Sequence, residues 1–283
     1  MHLPSLADIA AGIMDELLTS MAVVVLFTFQ RSVLRGLSRL VTAVQAVVTG
    51  KRFVLVWNDV DRALSRRLAT LLENGSLPGL VFRDLATPED ILNYALIPRV
   101  VGCVVLLITD VTKLSEDAGT RDKIQEALAQ YVARGGGLIG SHDIVYRRVR
   151  NKALQRVFGG MTAHFRRTDQ PVVYVKDPET LHPVAQGLPD SFSLNDGEVV
   201  WGTWDNSVVP VFRSPEGVPL VTVKKHGLGR VVWLNSGDNG EHLARSVAVP
   251  EPEFLTLLEN SVRWTGLKDR PSPCERTGRE SVA

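Results

Sequence analysis

With 283 residues, 45% of them apolar and 22% charged, the chain has an ordinary globular composition and the length for one large α/β domain plus an appendage, or for two small domains. A formal net charge of +1 argues against nucleic-acid binding by bulk electrostatics. The two cysteines, Cys103 in an apolar run and Cys274 in a polar tail, argue against a structural disulfide and for a reducing, cytoplasmic setting.

Residues 1–50 read as helix. Leu3, Leu6, Ile9, Ile13 and Leu17, then Val33, Leu37, Leu40, Val44 and Val47, recur at three- and four-residue spacing, while Arg31, Arg35 and Arg39 share one face. Gly50 marks the stop, so a helical hairpin or one long helix is expected ahead of the main domain. The apolar run at 21–29 is about half of the ~20 residues needed to cross a bilayer, and Asp8, Asp15 and Glu16 precede it, so neither a transmembrane segment nor a leader peptide is expected. Such an appendage suits docking, a homo-oligomer or a protein partner; the alternative is contact with a membrane surface.

From Lys51 the pattern changes. "RFVLVWND", "GLVFRDL", "VVGCVVLLITD" and "GLIGSHD" read as strands, separated by the helical "VDRALSRRLATLLENG", "TPEDILNYALI" and "TRDKIQEALAQYVARGGG". Thr87 supplies an N-cap with Pro88 at the first helical position. Strand and helix alternating at this spacing predict a doubly wound sheet, whose ligands bind beyond the carboxyl ends of the strands. After Gly160 the chain turns β-rich ("QPVVYVKD", "VVPVFRS", "VPLVTVKKHGLGR", "VVWLNSGDNG"), and the amphipathic "PEPEFLTLLENSVRWTG" closes the domain. The expected units are 1–50, a helical appendage; 51–267, the main domain; and 268–283, a polar disordered tail with Pro271 and Pro273.

Five phrases, "YVARGGGLIGSHD", "FGGMTAHF", "HPVAQGLPDSFSLNDGEV", "HGLGRVVWLNSGD" and "LLENSVRWTG", together resemble the ThuA-like family (trehalose-utilisation type). The resemblance covers 52–266 and not the first 50 residues. It implies an α/β three-layer sandwich with a mostly parallel sheet, of the class I glutamine amidotransferase-like (flavodoxin-like) kind, whose elbow cysteine is absent, and an association with carbohydrate metabolism.

Carried onto this chain, the resemblance puts the elbow at His142, a second histidine at His164 and an acidic pair at Asp196-Gly197-Glu198, leaving open which acid faces the cleft. Gly237-Asp238 stands where the family often has Gly-His, and Asn58-Asp59 where a histidine often follows the first strand. The expected catalytic set is therefore His142, His164, Glu198, Asp196 and Asp238, with Asn58, Asp59, Asp110, Asp143 and Trp201 as ligand contacts. The expected ligand is a small molecule of the sugar or polyol class, since acids bind hydroxyls and tryptophan faces stack on sugar C–H surfaces. Trp201 and Trp204 are equally readable as core.

Ser141 is a poor nucleophile candidate, because adjacent residues on a sharp turn point apart and triad partners come from separate loops. Asp143 reads as an N-cap as readily as a ligand-binding acid. No close metal-ligand spacing occurs; a metal would need His142, His164 and Asp238 from distant loops, and no metal or cofactor is expected. Gly135–Gly137 lie before the strand and read as the end of a helix, not as a phosphate loop. The rival expectation is a catalytically inactive scaffold that recruits partners or oligomerises through residues 1–50.

Overall fold

The computed structural model describes residues 6–58, 62–74, 77–107, 111–147, 151–236 and 251–267. A single helix, α1 (Leu6–Thr49), precedes an alternation of β1 (Arg52–Asn58), α2 (Arg62–Glu73), β2 (Leu80–Asp84), β3 (Val101–Leu107), α3 (Ala118–Ala133) and β4 (Gly137–Ser141). After α4 (Lys152–Phe158) the chain is mainly extended: β5 (Gly160–Arg167), β6 (Val172–Lys176), β7 (Ser191–Leu194), β8 (Glu198–Trp204), β9 (Val209–Arg213), β10 (Pro219–His226) and β11 (Gly229–Leu234). The helix α5 (Pro252–Gly266) ends the described chain. No helix among the described residues is long and apolar enough to cross a membrane.

Nine strands form one sheet in the order β2-β1-β3-β4-β11-β10-β9-β6-β7, and β5 pairs with β8 in a separate ribbon. From β2 to β11 every pairing is parallel. Beyond β11 every pairing is antiparallel. The expected mostly parallel sheet is thus parallel in one half only. The cause lies in the connections: β9, β10 and β11 follow one another through short turns, and a short turn can join only antiparallel neighbours.

Burial follows the layers. All seven residues of the central strand β3 are buried, as two covered faces require. Val54 and Val56 of β1 face a core shared with Leu68 and Leu72 of α2 and Leu257 and Val262 of α5. Phe53 and Leu55 face the other core, with Ile124 and Leu128 of α3, Leu154 and Val157 of α4 and Ala46 of α1. Helices therefore cover both faces.

One local expectation changes. The Thr87 capping box and Pro88 start a 3-10 helix of only six residues, Pro88–Asn93, because Tyr94 is extended and the chain must reach Val101 of β3 past Pro98.

The carboxyl ends of β1, β4 and β11 share one edge of the parallel half, and the polar residues there are buried: Asn58, Ser141, His142, Asn235 and Ser236. Burying polar groups is costly unless they are bonded, so this edge is where chemistry is to be sought.

Candidate functional site

The strand β4 ends at Ser141 in extended geometry, and the next residue, His142, has φ of 42°. Among the described residues it is the single non-glycine in the left-handed region. Such a conformation costs about 1–3 kcal/mol and persists only where the surroundings impose it. Here the Trp233 indole Nε1 donates to the His142 carbonyl at 3.0 Å. Asn151 Nδ2 donates to the carbonyls of Ile144 and Tyr146, each at 3.1 Å. Arg147 N donates to Thr162 O at 3.0 Å and ties the turn to β5. The turn folds back so tightly that a Cβ on Gly140 would stand 2.7 Å from Phe158 Cζ and 3.0 Å from Ile144.

The His142 side chain is 1% exposed and lies between two carboxylates. Nδ1 is 3.1 Å from Asp143 Oδ1, and Nε2 is 3.1 Å from Glu198 Oε1. Glu198 opens β8, and its Oε2 points toward the exposed Arg167, with Nε at 3.7 Å; Arg167 is its partner in the β5–β8 register. At that exposure the Arg167 pair adds little stability. Glu198 thus links the buried imidazole to the surface.

Asp196 takes a different direction. Gly197 has φ of 71° and reverses the chain between the two acids, a conformation costly for any residue with a Cβ. Asp196 accepts a hydrogen bond from the Tyr174 hydroxyl and another from Asn235 Nδ2 at 3.0 Å. Burial, and then the Asp196 charge, push the Tyr174 phenol well above its ordinary value, so it stays a donor. Asn235 also donates to Glu198 O at 2.9 Å and accepts from Val200 N at 3.0 Å, clamping the start of β8 to the end of β11. The acid beside His142 is Glu198; Asp196 belongs to the clamp.

His164 lies within β5 opposite Trp201, and the two rings stack with centroids 5.8 Å apart. Side chains alternate along a strand, so His164 and Trp201 occupy the face of the ribbon opposite Arg167 and Glu198. The two histidines are therefore not brought together. Trp201 is 37% exposed and is not core, whereas Trp204 packs against Trp233. Asn58 is buried at the end of β1, and Asp143 sits in the 3-10 turn His142–Val145 with Ser141 as its N-cap. Asp59, Asp110 and Asp238 lie outside the described residues, as does His242.

Among the described residues no group of three or more His, Cys, Asp or Glu is placed to hold a metal ion. His182 is a turn residue: its Nδ1 accepts from Val184 N at 3.2 Å and its ring meets the edge of Trp264. Cys103 is a core thiol, pushed up to about 12 by burial despite its contact with Thr265.

Asn235, Tyr174, Arg167 and Trp233 were not expected in the site. Asn235 carried a signal, since it follows an apolar strand directly, but "VVWLNSGDNG" reads as one run to Asp238. The other three lie inside strands, where nothing local marks them.

Similarity to known proteins bears on the family and the fold. The family model described as "ThuA: Trehalose utilisation" matches residues 102–265. No curated protein sequence matches the chain. Among solved structures, a ThuA-like protein from Bacteroides uniformis ATCC 8492 is 18% identical with a TM-score of 0.55, covering 78% of this chain and 93% of that one. A ThuA-like protein from Parabacteroides merdae ATCC 43184 is 16% identical at 0.53, covering 78% and 92%. A cytoplasmic protein from Salmonella typhimurium LT2 is 14% identical at 0.52, covering 77% and 100%. At these identities the structures speak to the fold alone; the family model, which spans more than half of the sequence, places this chain in the ThuA family.

Proposed function

We propose that the protein binds or acts on a carbohydrate or related polyol at the carboxyl end of β4, through Glu198 backed by His142. The observation that carries the reading is the 3.1 Å approach of His142 Nε2 to Glu198 Oε1 across a strained turn. A buried imidazole between carboxylates is a proton-handling unit, and strain held at a turn residue is common at functional sites. Because His142 is buried, it meets a ligand through Glu198, whose outer oxygen can accept from a sugar hydroxyl while His142 holds or returns the proton at Oε1.

Asn58 and Asp143 complete the proposed ligand contacts, with Asp196 positioning β8 through Asn235, whereas the Trp201–His164 stack lies on the other face of the ribbon. The finer fold reading is class I glutamine amidotransferase-like: the strand order β2-β1-β3-β4 is that of flavodoxin-like sheets, and His142 stands where a nucleophile elbow would. No thiol occupies that turn, so glutamine hydrolysis is not expected. A cytoplasmic setting fits the buried free thiol of Cys103 and the description of the Salmonella relative. The rival reading, a scaffold without turnover, is favoured by the exposed apolar face of α1.

Thermal shift against neutral sugars, sugar phosphates and polyols tests the proposal. A ligand present well above its dissociation constant raises the melting temperature by several degrees. Glu198→Gln should abolish that rise and change the unliganded melting temperature little. A screen with no stabilising sugar or polyol, or a rise that survives Glu198→Gln, overturns the reading.

A further inference from the structure

α1 docks on the domain by its small residues. Ala46 is buried, Ala43 packs against the same core, and Arg39 Nε donates to Leu92 O at 2.8 Å. At about 100° per residue, Val33, Leu34, Leu37, Leu40, Val41, Val44, Val47 and Val48 lie on the other side of the helix. Each of these eight is between 52% and 80% exposed. A helix that turns alanines inward and leucines and valines outward is inverted for a lone domain, and an apolar stripe of this length marks an interface.

The spacing of the stripe identifies its occupant. Leu34, Leu37, Val41, Val44 and Val48 recur at three and four residues, and so do Val33, Leu37, Leu40, Val44 and Val47: the seam of a helix that meets another helix. The eight positions also read the same in both directions about a point between Leu40 and Val41. An antiparallel second copy would then set Val33 against Val48, Leu34 against Val47, Leu37 against Val44, and Leu40 against Val41, a self-complementary contact with two-fold symmetry.

The area suffices. At on the order of 80 Å² per residue the stripe offers roughly 600 Å² per chain, reaching the lower bound of a specific two-chain interface. We infer that the protein pairs with a second copy of itself through an antiparallel α1–α1 seam centred on Leu40 and Val41. The pairing holds whether or not the His142 site turns over a substrate, and its test leaves that site untouched.

The full chain in a Cys274→Ser background should show by light scattering twice the 31.1 kDa of one chain. Leu37→Glu with Val44→Glu should give a monomer of unchanged far-ultraviolet dichroism. Under mild oxidation Leu40→Cys should cross-link, as should the double variant Val33→Cys with Val48→Cys, while Val33→Cys alone should not. A monomer across the micromolar range overturns the inference. So does faster cross-linking of Val33→Cys than of Leu40→Cys, which indicates a parallel pair, or binding to lipid vesicles without dimer formation, which assigns the stripe to a membrane surface.

Discussion

His142 Nε2 stands 3.1 Å from Glu198 Oε1, one residue in a strained turn after β4 and the other at the first position of β8. The two elements belong to different sheets, and the β8 side is held to the end of β11 by the Asn235 side chain, which bonds Asp196, Glu198 and Val200 together.

Replacing the turn residue should separate strain from chemistry. Glycine adopts a positive φ freely, whereas alanine does not. His142→Gly should therefore be more stable than His142→Ala by about 0.5–1 kcal/mol in urea unfolding, against the usual order for a glycine–alanine pair. Both should lose ligand response. An alanine variant equal to or more stable than the glycine variant counts against an imposed backbone.

The clamp should be expensive to remove. Asn235→Ala leaves Val200 N–H and part of Asp196 without their partner in a buried place, which costs about 2–3 kcal/mol. Chemical denaturation reads this directly. A change below about 0.5 kcal/mol, the size typical of surface substitutions, would mean that the clamp is not holding β8.

His182 makes a pH prediction. Burial first, and then Arg230 and Lys225, lower it from 6.5 to about 4. With the folded value below the unfolded one, the unfolded chain takes up the proton more readily, so this contribution is complete above about pH 6.5 and is lost as pH falls toward 4. His182→Asn keeps a capping acceptor and removes the titration. Its melting temperature relative to the parent should rise as pH is lowered through that window; a difference independent of pH refutes it.

Cys103 should be chemically silent in the folded protein. Its thiol is buried and held at about 12, so almost no thiolate forms near neutrality. In a Cys274→Ser background, a thiol reagent should react only at the rate of unfolding and completely in denaturant. Rapid native labelling would show that the β3 core opens.

Much of the parallel half was legible. β1, β2, β3 and β4 are apolar runs with turn signals at their ends, and burial on both faces makes such strands nearly uniform in composition. β5 and β8 were not read as strands, since "GMTAHFRR" and "EVVWGTW" mix polar and aromatic residues in a ribbon that covers only one face. Their pairing depends on a partner far along the chain, and no local pattern records it. In the antiparallel half β6, β9 and β10 were seen but not their order, and the short β7, with only two apolar residues, was missed.

By itself, then, the sequence determined that the chain is α/β, that its polar residues of interest follow apolar strands, and that Ser141-His142-Asp143 form a sharp turn, because these depend on neighbours within a few residues. Tertiary structure decided that Glu198 and not Asp196 meets His142, that His164 stacks on Trp201 away from it, and that the leucines and valines of α1 from Val33 to Val48 face outward. Each of these turns on strand register, the reversal at Gly197 or the docked side of a helix. Long-range contacts set all three, and residue spacing leaves them undetermined.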